Sequence, residues 1–324
     1  MIRKPTGILF VTSTHIGDAI LSTGLLQHLM AHYPGEPVRI ACGAPAAKVF
    51  EAAPGLENLH VLRKKRYARH WLEFWRSAAG RRWRVIVDLR RTALPYVLRA
   101  GEKYTLPKSR APIHRVELIS STLALPPLAP TIWTADRHEQ AARDLLGSER
   151  NLLALAPGAS WKGKIWPADR FVALAQRLTG PGGIAGGARI LLVGAAQERA
   201  FAQPLVDAFG ESRIVDGMGL DILSTYAALK RCRLFVGNDS AMMHLSAATG
   251  QPTVGLFGPT RDEHYAPWGE NGLVVRTPET VEELIGGPDY DTRTTGTMMG
   301  NMQPAAVESA IRNRWGNELD YAAD

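Results

Sequence analysis

The chain has 324 residues, about two domains at the usual size of roughly 150 residues each. Its composition, 45% hydrophobic and 21% charged, is that of a globular protein and excludes disordered, collagen-like and coiled-coil classes. Two cysteines, Cys42 and Cys232, are too few for a disulfide framework or a cysteine zinc cage, and they are compatible with a reducing compartment.

Charge is distributed unevenly along the chain. The total is +7, but the segment from Arg63 to Arg115 holds sixteen Lys and Arg against three acids, so it carries +13 and the rest carries −6. The first half is therefore predicted to face an anionic partner or a membrane surface. No apolar run reaches the roughly 18 residues of a membrane span, and the run at 7–11 is too short for a signal peptide. A cytoplasmic location is predicted.

Short apolar strands alternate with amphipathic helices in the first half. Strands are predicted over 7–12, 37–42 and 84–89, and helices over 17–33 and 114–124. A proline-rich stretch at 125–130 then breaks the rhythm.

A second series of the same kind follows. Strands are predicted over 152–156, 189–193, 234–236 and 252–257, and helices over 168–178, 198–209, 221–230, 240–249 and 304–315. The stretch 179–187 is predicted to be a surface insertion, and 286–301 a loop. Such alternation is typical of parallel sheets with right-handed crossovers. We expect an α/β protein of two Rossmann-like domains, 1–150 and 151–324, with a cleft between them. Ligands of such sheets bind beyond the carboxyl ends of the strands.

The first predicted strand is followed by a loop of small and hydroxyl residues that ends at Asp18. Asp18 lies in the first turn of the predicted helix. It is either an acid that stabilises the helix dipole, worth about 0.3–1 kcal/mol, or a general base at the mouth of the cleft. Position alone favours neither interpretation.

The strand at 152–156 is followed by a loop that almost matches a phosphate-binding P-loop. Gly158, Gly163 and Lys164 have the required spacing, but Ile165 replaces the Ser or Thr that holds magnesium. The Trp166-Pro167 pair also delays the helix. A phosphate cradle of another kind is favoured over a P-loop, with an exposed basic turn as the plain alternative.

The strand at 234–236 leads into Asn238 and Asp239, and a helix is predicted from Ser240. Ser240 and His244 are four residues apart and share one helix face. A hydroxyl, a histidine and free N–H groups together favour an anion site. The alternatives are that Asp239 only caps the helix and that the histidine is structural. Glu198 follows another strand, where an acid either binds ribose hydroxyls or caps a helix.

Aromatic residues are interleaved with the basic residues of the +13 segment. This pattern favours an acceptor or membrane patch, although a solvated helix face with core aromatics is an equal interpretation. The patch is predicted to contain Arg63, Lys64, Lys65, Arg66, Arg69, Trp71, Trp75, Arg90 and Arg91. No nucleic-acid-binding module is recognised, and no metal-ligand motif is present in the sequence.

Taken in order, these loops resemble glycosyltransferase family 9, the heptosyltransferases of lipopolysaccharide core assembly. The resemblance covers most of the chain. It depends on IGD at 16–18, PGAS at 157–160, KIWP at 164–167, NDS at 238–240 with His244, GPT at 258–260 and PWG at 267–269.

The resemblance implies a GT-B fold, with an acceptor domain over 1–150, a nucleotide-sugar domain over 151–324 and a last helix that can pack back on the first domain. It implies an inverting transfer, without metal or other cofactor, from ADP-L-glycero-D-manno-heptose to a sugar hydroxyl of the lipopolysaccharide inner core. The acceptor would be an anionic glycolipid at the cytoplasmic face of the inner membrane, where the enzyme would be peripherally bound. No nucleic acid would be a partner.

The resemblance also implies roles for single residues. Asp18 would be the general base, and Lys164 would contact the diphosphate with Ser160 nearby. The donor would be held by Asp239, Ser240 and the helix that carries His244. Glu198 would meet the ribose, and the loop that ends at Leu220 would lie under the adenine.

Departures from the family pattern leave alternatives open. His15 stands where many relatives carry Arg or a small residue. The same fold could use another nucleotide sugar, or a protein or other glycan as acceptor. A P-loop-like nucleotide hydrolase that uses Gly158 and Lys164 is a further alternative, as is a non-catalytic basic module that docks on anionic lipid or nucleic acid.

Overall fold

The computed structural model describes residues 5–63, 69–287, 290–291 and 295–319, with side chains up to residue 316. The chain divides into two compact units, Met1–Ala135 and Asp136–Asp324. Each unit is built on its own parallel sheet. No helix in the described ranges is long and apolar enough to cross a membrane.

Unit 1 holds a five-stranded parallel sheet in the order β3-β2-β1-β4-β5. Its strands are β1 Ile8–Val11, β2 Val38–Cys42, β3 Leu56–Val61, β4 Trp83–Asp88 and β5 Ala100–Thr105. Its helices are α1 Ile16–His32, α2 Ala44–Ala47, α3 Arg69–Ala78, α4 Leu94–Val97 and α5 Arg115–Ser120. All four residues of the central β1 are buried, as expected for a strand covered on both faces. The strand order reverses between β1 and β4, so the loops after these two strands form the topological switch point where ligands of such sheets bind.

The proline-rich stretch at 125–130 is not a free linker, because the chain that follows it is bonded to α1. Thr131 N–H donates to Thr23 Oγ1 at 2.9 Å, and Trp133 Nε1 donates to Gln27 Oε1 at 2.9 Å. This stretch therefore belongs to unit 1. The boundary falls after Ala135 and not at 150, since the next helix, α6 Asp136–Leu146, packs on a helix of unit 2.

Unit 2 holds a six-stranded parallel sheet in the order β11-β10-β9-β6-β7-β8. Its strands are β6 Leu152–Ala156, β7 Arg189–Gly194, β8 Ile214–Met218, β9 Leu234–Asn238, β10 Thr253–Phe257 and β11 Gly272–Arg276. Its helices after α6 are α7 Ala168–Thr179, α8 Arg199–Phe209, α9 Ile222–Leu229, α10 Ala241–Ala247, α11 Asp262–Tyr265, α12 Val281–Ile285 and α13 Pro304–Leu319. This is the Rossmann strand order. The switch point lies between β6 and β9.

The stretch 179–187 is not the surface insertion that its glycines predict. Ile184 and Ala185 are buried in the core of unit 2. Ala185 N–H donates to Leu178 O at 2.9 Å, and Gly187 N–H donates to Thr179 O at 3.0 Å. The segment thus satisfies the carbonyl groups at the end of α7, which otherwise lack partners. The last helix, α13, packs against α7 and β11 within unit 2.

Both cysteines are buried and reduced. Burial raises the pKa of the Cys42 and Cys232 thiols to about 12, because an apolar environment disfavours the thiolate. Both thiols are therefore protonated at neutral pH, in agreement with a structural and unreactive role.

The substitution Gly24→Ala tests how the proline-rich stretch at 125–130 packs on α1. A β-carbon at this position would lie 2.3 Å from Ala129 O. This is a backbone atom, so it cannot move unless the stretch at 125–130 shifts. We expect Gly24→Ala to lower the free energy of unfolding by about 1–3 kcal/mol, measured by urea denaturation. Gly316→Ala in α13 is the matched control. Nothing lies within 4 Å of its β-carbon position, so helix propensity alone predicts a gain of up to about 1 kcal/mol. Equal effects of the two substitutions would contradict this packing.

Candidate functional site

Asn238, the last residue of β9, ties down the loop that follows the neighbouring β6. The residue is fully buried. Its Nδ2 donates to Pro157 O at 2.9 Å, and its Oδ1 accepts from Trp166 N–H at 3.1 Å. One side chain therefore holds both ends of the loop at 157–166. Gly237 permits this approach, since a β-carbon there would lie 2.9 Å from the β-carbon of Ala156.

The same loop presents Lys164 to Asp239. A short 3-10 turn at Lys162–Lys164 carries the lysine, whose Nζ lies 2.6 Å from Asp239 Oδ2. Asp239, which follows β9, is buried, whereas Ser160, in the loop that carries Lys164, is exposed. The helix α7 begins only at Ala168. The P-loop alternative therefore lacks its main feature, a helix that starts directly after the lysine and presents its N–H groups to the phosphates.

The loop predicted over 286–301 supports the lysine turn from the other side, as far as the structure describes it. Thr297 Oγ1 donates to Ile165 O at 2.5 Å, and Met298 N–H donates to Gly163 O at 3.1 Å. Trp166 Nε1 donates to Met302 O at 3.1 Å. The position of Lys164 is thus determined by three segments that are far apart in the sequence.

Three buried polar atoms at this edge of the sheet have no hydrogen-bond partner among the described residues. They are Trp161 Nε1, Ser240 Oγ and Thr260 Oγ1. The three residues follow β6, β9 and β10, which are adjacent strands about 4.8 Å apart. Natural proteins leave few buried polar groups unsatisfied. Unsatisfied donors that follow three adjacent strands, at the sheet edge that also carries Lys164, are therefore typical of a site that an anion completes.

Ser240, and not Asp239, is the N-cap of α10, and its side chain makes no capping bond. The interpretation of Asp239 as a helix cap is therefore wrong, because its carboxylate is paired with Lys164. His244 is buried one turn further along α10, and its ring centroid lies 6.2 Å from that of Tyr265. This histidine therefore lies in the interior of unit 2.

Glu198 reaches from the loop after β7 towards the loop after β6. Its Oε2 accepts from Ala195 N–H at 2.9 Å. Its Cδ lies 2.6 Å from the position of a β-carbon on Gly158, so a larger residue there would displace the glutamate side chain. Gln197 is exposed. Leu220 is half-buried and lies two residues beyond β8, at the same edge of the sheet.

In unit 1, Asp18 lies in the first turn of α1 and is paired with Arg115, the first residue of α5. Arg115 Nε is 3.3 Å from Asp18 Oδ1, and Ser13 Oγ donates to Oδ2 at 3.3 Å. The aspartate side chain is 19% exposed. Its Oδ1 is buried and accepts no hydrogen bond from the described residues. The carboxylate is thus oriented by Arg115 and Ser13 while the side chain stays partly exposed, an arrangement compatible with a general base.

Comparison with known proteins identifies the family. Residues 102–284, more than half of the chain, match the model of glycosyltransferase family 9 (heptosyltransferase). The chain belongs to glycosyltransferase family 9. It is 23% identical to lipopolysaccharide heptosyltransferase 2 of Salmonella typhimurium, over 83% of this chain and 87% of that protein.

Solved structures of family 9 enzymes share the fold of this glycosyltransferase. E. coli ADP-heptose lps heptosyltransferase II has a TM-score of 0.75 at 18% identity and covers 97% of this chain and 99% of its own. E. coli heptosyltransferase WaaC with ADP-2-deoxy-2-fluoro heptose has a TM-score of 0.69 at 16% identity and covers 95% and 99%. The predictions of the family and of a GT-B fold with two parallel sheets are confirmed.

In unit 1 of this glycosyltransferase, a buried aspartate at the end of β4 holds the turn that carries Arg90. Asp88 is fully buried and accepts from Arg90 N–H at 2.8 Å and Thr92 N–H at 2.6 Å. Arg90 Nη1 in turn donates to Thr14 Oγ1 at 3.1 Å. The loop after β4 is thereby linked at the switch point to the loop after β1, which leads to Asp18.

The structure does not bring the described residues of the predicted basic and aromatic patch together on one surface. The guanidinium of Arg90 lies 5.3 Å from the ring centroid of Trp71, whereas Trp75 lies on the exposed face of α3. Arg63, Arg69 and Arg91 are exposed. Lys64, Lys65 and Arg66 lie outside the described residues. Within the described ranges, no group of three His, Cys, Asp or Glu is arranged to hold a metal ion.

Sequence reasoning missed the partners that hold the key residues. In the sequence Arg115 is one charge of the +13 segment, and nothing indicates that it meets Asp18. Asn238 belongs to the NDS motif, and its position at the end of a buried central strand is the signal for a structural role. Arg276, whose Nη2 donates to Gly258 O at 2.7 Å, carries no recognisable sequence signal.

Asn238→Leu tests the hold on the lysine loop. The substitution keeps the side-chain size but leaves Trp166 N–H and Pro157 C=O buried without partners, at about 1–3 kcal/mol for each group. We expect a lower midpoint of urea denaturation, followed by tryptophan fluorescence. Asn271→Leu is the matched control, because Asn271 is exposed and makes one side-chain bond, to Gly250 O at 2.7 Å. Equal midpoints for the two variants would contradict the role of Asn238.

Proposed function

We propose that this glycosyltransferase transfers heptose from ADP-L-glycero-D-manno-heptose to a sugar hydroxyl of the lipopolysaccharide inner core, with inversion and without a metal ion. Family membership, the activity named for the Salmonella relative and the ADP-heptose analogue named in the WaaC structure support the donor and the pathway. The observation that carries the proposal is the set of unsatisfied donors that share one sheet edge of unit 2 with Lys164.

The donor diphosphate would bind at this group. A lysine ammonium has three N–H donors, of which two go to Asp239, to Oδ2 at 2.6 Å and to the backbone O at 3.4 Å. The third can contact phosphate oxygens together with Trp161 Nε1–H, the hydroxyls of Ser240 and Thr260, and Ser160 from the exposed part of the loop. These donors become most valuable as ADP departs, because negative charge accumulates on its terminal phosphate in the transition state.

The nucleoside would lie along the neighbouring strands. Glu198 is assigned to the ribose hydroxyls, since its side chain already lies over the loop after β6. The loop after β8 that ends at Leu220 is assigned to the adenine. Gly158 and Gly219, which has φ +86°, keep this edge free of side chains. Because α10 is a short helix, its dipole alone contributes little, and side-chain donors carry most of the recognition.

Asp18 is assigned as the general base. In a single displacement the acceptor oxygen attacks the anomeric carbon, the bond to the ADP phosphate breaks, and the hydroxyl proton passes to the carboxylate. One displacement inverts the anomeric configuration and needs no enzyme nucleophile. Arg115 keeps the carboxylate oriented. Arg90 and Arg91, which follow β4 at the same edge as Asp18, are assigned to anionic groups of the glycolipid acceptor.

Asp18→Asn removes the base and keeps the shape of the side chain. We expect turnover to fall by about 100- to 10,000-fold, measured as ADP release with a lipopolysaccharide acceptor. Binding of ADP, measured by thermal shift, should persist. Glu117→Gln is the matched control, because Glu117 is also an acid in the first turn of a helix of unit 1 and is exposed. If both variants lost activity equally, or neither did, Asp18 would be no more than a helix-dipole acid.

Lys164→Ala tests the donor site. Wild-type protein at an ADP concentration about 100 times its dissociation constant should gain roughly 2.7 kcal/mol of stability, which is a few degrees in melting temperature. EDTA is present throughout. Loss of a charge-assisted bond worth about 1.5–3 kcal/mol should weaken ADP binding by roughly 10- to 100-fold.

The neighbouring Lys162→Ala is the control for this experiment, since Lys162 is exposed on the same turn and has the same charge. Each variant is compared with its own unliganded melting temperature. An equal loss of the shift in both variants would show that general charge attracts the nucleotide. A shift with UDP or GDP in place of ADP would replace the proposed donor.

A further inference from the structure

Exposed large hydrophobic side chains are concentrated on one part of unit 1. In the part of the chain that the structure describes they are Leu72 at 47% exposure, Trp75 at 36%, Tyr96 at 82% and Val97 at 55%. All four lie within the segment of highest positive charge. Single exposed hydrophobic residues are ordinary on protein surfaces, but their concentration in one basic region marks an interaction surface.

Tyr96 and Val97 border an open groove at the amino ends of β4 and β5. The groove measures about 900 Å³. Its other lining residues include Ala79, Arg81, Arg82, Arg99 and Lys103. Trp83 and Ala100, the first residues of β4 and β5, are paired in register, so Arg82 and Arg99 precede the strands side by side. Asp18 follows β1 at the carboxyl edge. The groove and the proposed base thus lie at opposite edges of one sheet.

Positive charge in the groove is largely uncompensated. Arg82, Arg99 and Lys103 are exposed and form no salt bridge with the residues that the structure describes. Arg81 is paired with Glu57 at 2.7 Å. Glu102 does not neutralise Lys103, because neighbouring residues of a strand project from opposite faces. Its carboxylate instead accepts from Oη of Tyr33, the residue that follows α1, at 2.7 Å.

The helix α3 continues this surface. Leu72 and Trp75 are three residues apart, so they share one face of the helix. Ala79 follows the helix, donates its N–H to Trp75 O at 2.8 Å and lines the groove. Phe74 and Ala78 are the buried residues of α3. The outer face of α3 and the groove are therefore one continuous surface. We call it the docking face and define it by Leu72, Trp75, Tyr96, Val97, Arg82, Arg99 and Lys103.

We propose that the docking face binds the surface of an anionic lipid bilayer. Aromatic and aliphatic side chains that surround unpaired Arg and Lys are suited to the boundary between headgroups and acyl chains, and each cation near such a surface contributes about 1 kcal/mol. The core of a protein interface is depleted of unpaired charges. Docking through this face leaves the carboxyl edge of the sheet, with Asp18, uncovered by the bilayer.

The test measures binding of the full chain to vesicles that contain no glycolipid and no nucleotide, so its result is independent of the glycosyl-transfer proposal. Vesicles of phosphatidylglycerol and phosphatidylcholine in equal parts are compared with phosphatidylcholine alone, at about 0.1 M salt. Wild-type protein should bind the anionic vesicles and lose binding at high salt. Arg82→Ser with Arg99→Ser removes two cations and should weaken binding roughly 20- to 30-fold. Tyr96→Ser with Val97→Ser should weaken it as well.

The matched control is Lys108→Ser with Arg110→Ser. These residues are exposed, carry the same two charges and follow β5 at the carboxyl edge. A six-residue strand spans about 20 Å, which is beyond the Debye length of roughly 10 Å, so the control should bind as wild type does. Melting temperatures show that all variants are folded.

Three results would overturn the proposal. They are equal binding of wild type to neutral and anionic vesicles, wild-type binding by both docking-face variants, and loss of binding by the carboxyl-edge control to the same degree. A wild-type preference for an oligonucleotide over anionic vesicles, lost in the docking-face variants, would assign the surface to nucleic acid instead.

Discussion

Unit 2 depends on one buried amide at the topological switch point. Asn238 ends β9 and holds both ends of the loop after β6, and this loop carries Lys164. A parallel sheet brings the ends of adjacent strands within about 5 Å of each other, but it does not determine the course of the loops that follow. The amide of Asn238 supplies that constraint through bonds that are shielded from water, where losing a partner is expensive.

Both charged centres are held in opposite-charge pairs. Lys164 is paired with Asp239, and Asp18 with Arg115. Each pair fixes a flexible side chain before any substrate binds, which reduces the entropy lost on binding. Each also leaves hydrogen-bonding capacity unused, at Ser240 Oγ beside one pair and at Asp18 Oδ1 within the other. An ion pair that orients a side chain but leaves a polar atom without a hydrogen-bond partner is suited to a site where the substrate supplies that partner.

The basic segment from Arg63 to Arg115 places arginines at both edges of the sheet of unit 1. Arg90 and Arg91 follow β4 at the carboxyl edge, while Arg82 and Arg99 precede β4 and β5 at the amino edge. In the sequence the +13 segment is one continuous stretch. In the fold its charges lie on two surfaces, because each strand begins at one edge of the sheet and ends at the other. Trp71 and Trp75 illustrate the division, because one stacks near Arg90 and the other lies on the exposed face of α3.

The sequence by itself determined the fold class, the family and the central strands. All seven predicted strands exist, and the four that were missed, β3, β5, β8 and β11, are the edge strands of the two sheets. A central strand of a parallel sheet is buried on both faces and appears as a continuous apolar run. An edge strand such as β3 or β5 is partly exposed and lacks that pattern. Only the tertiary structure decided that Arg115 meets Asp18, that Asn238 holds the lysine loop and that Thr297 supports it. These contacts join residues that lie between about 70 and 130 positions apart, and local sequence patterns carry no information about pairing over such separations.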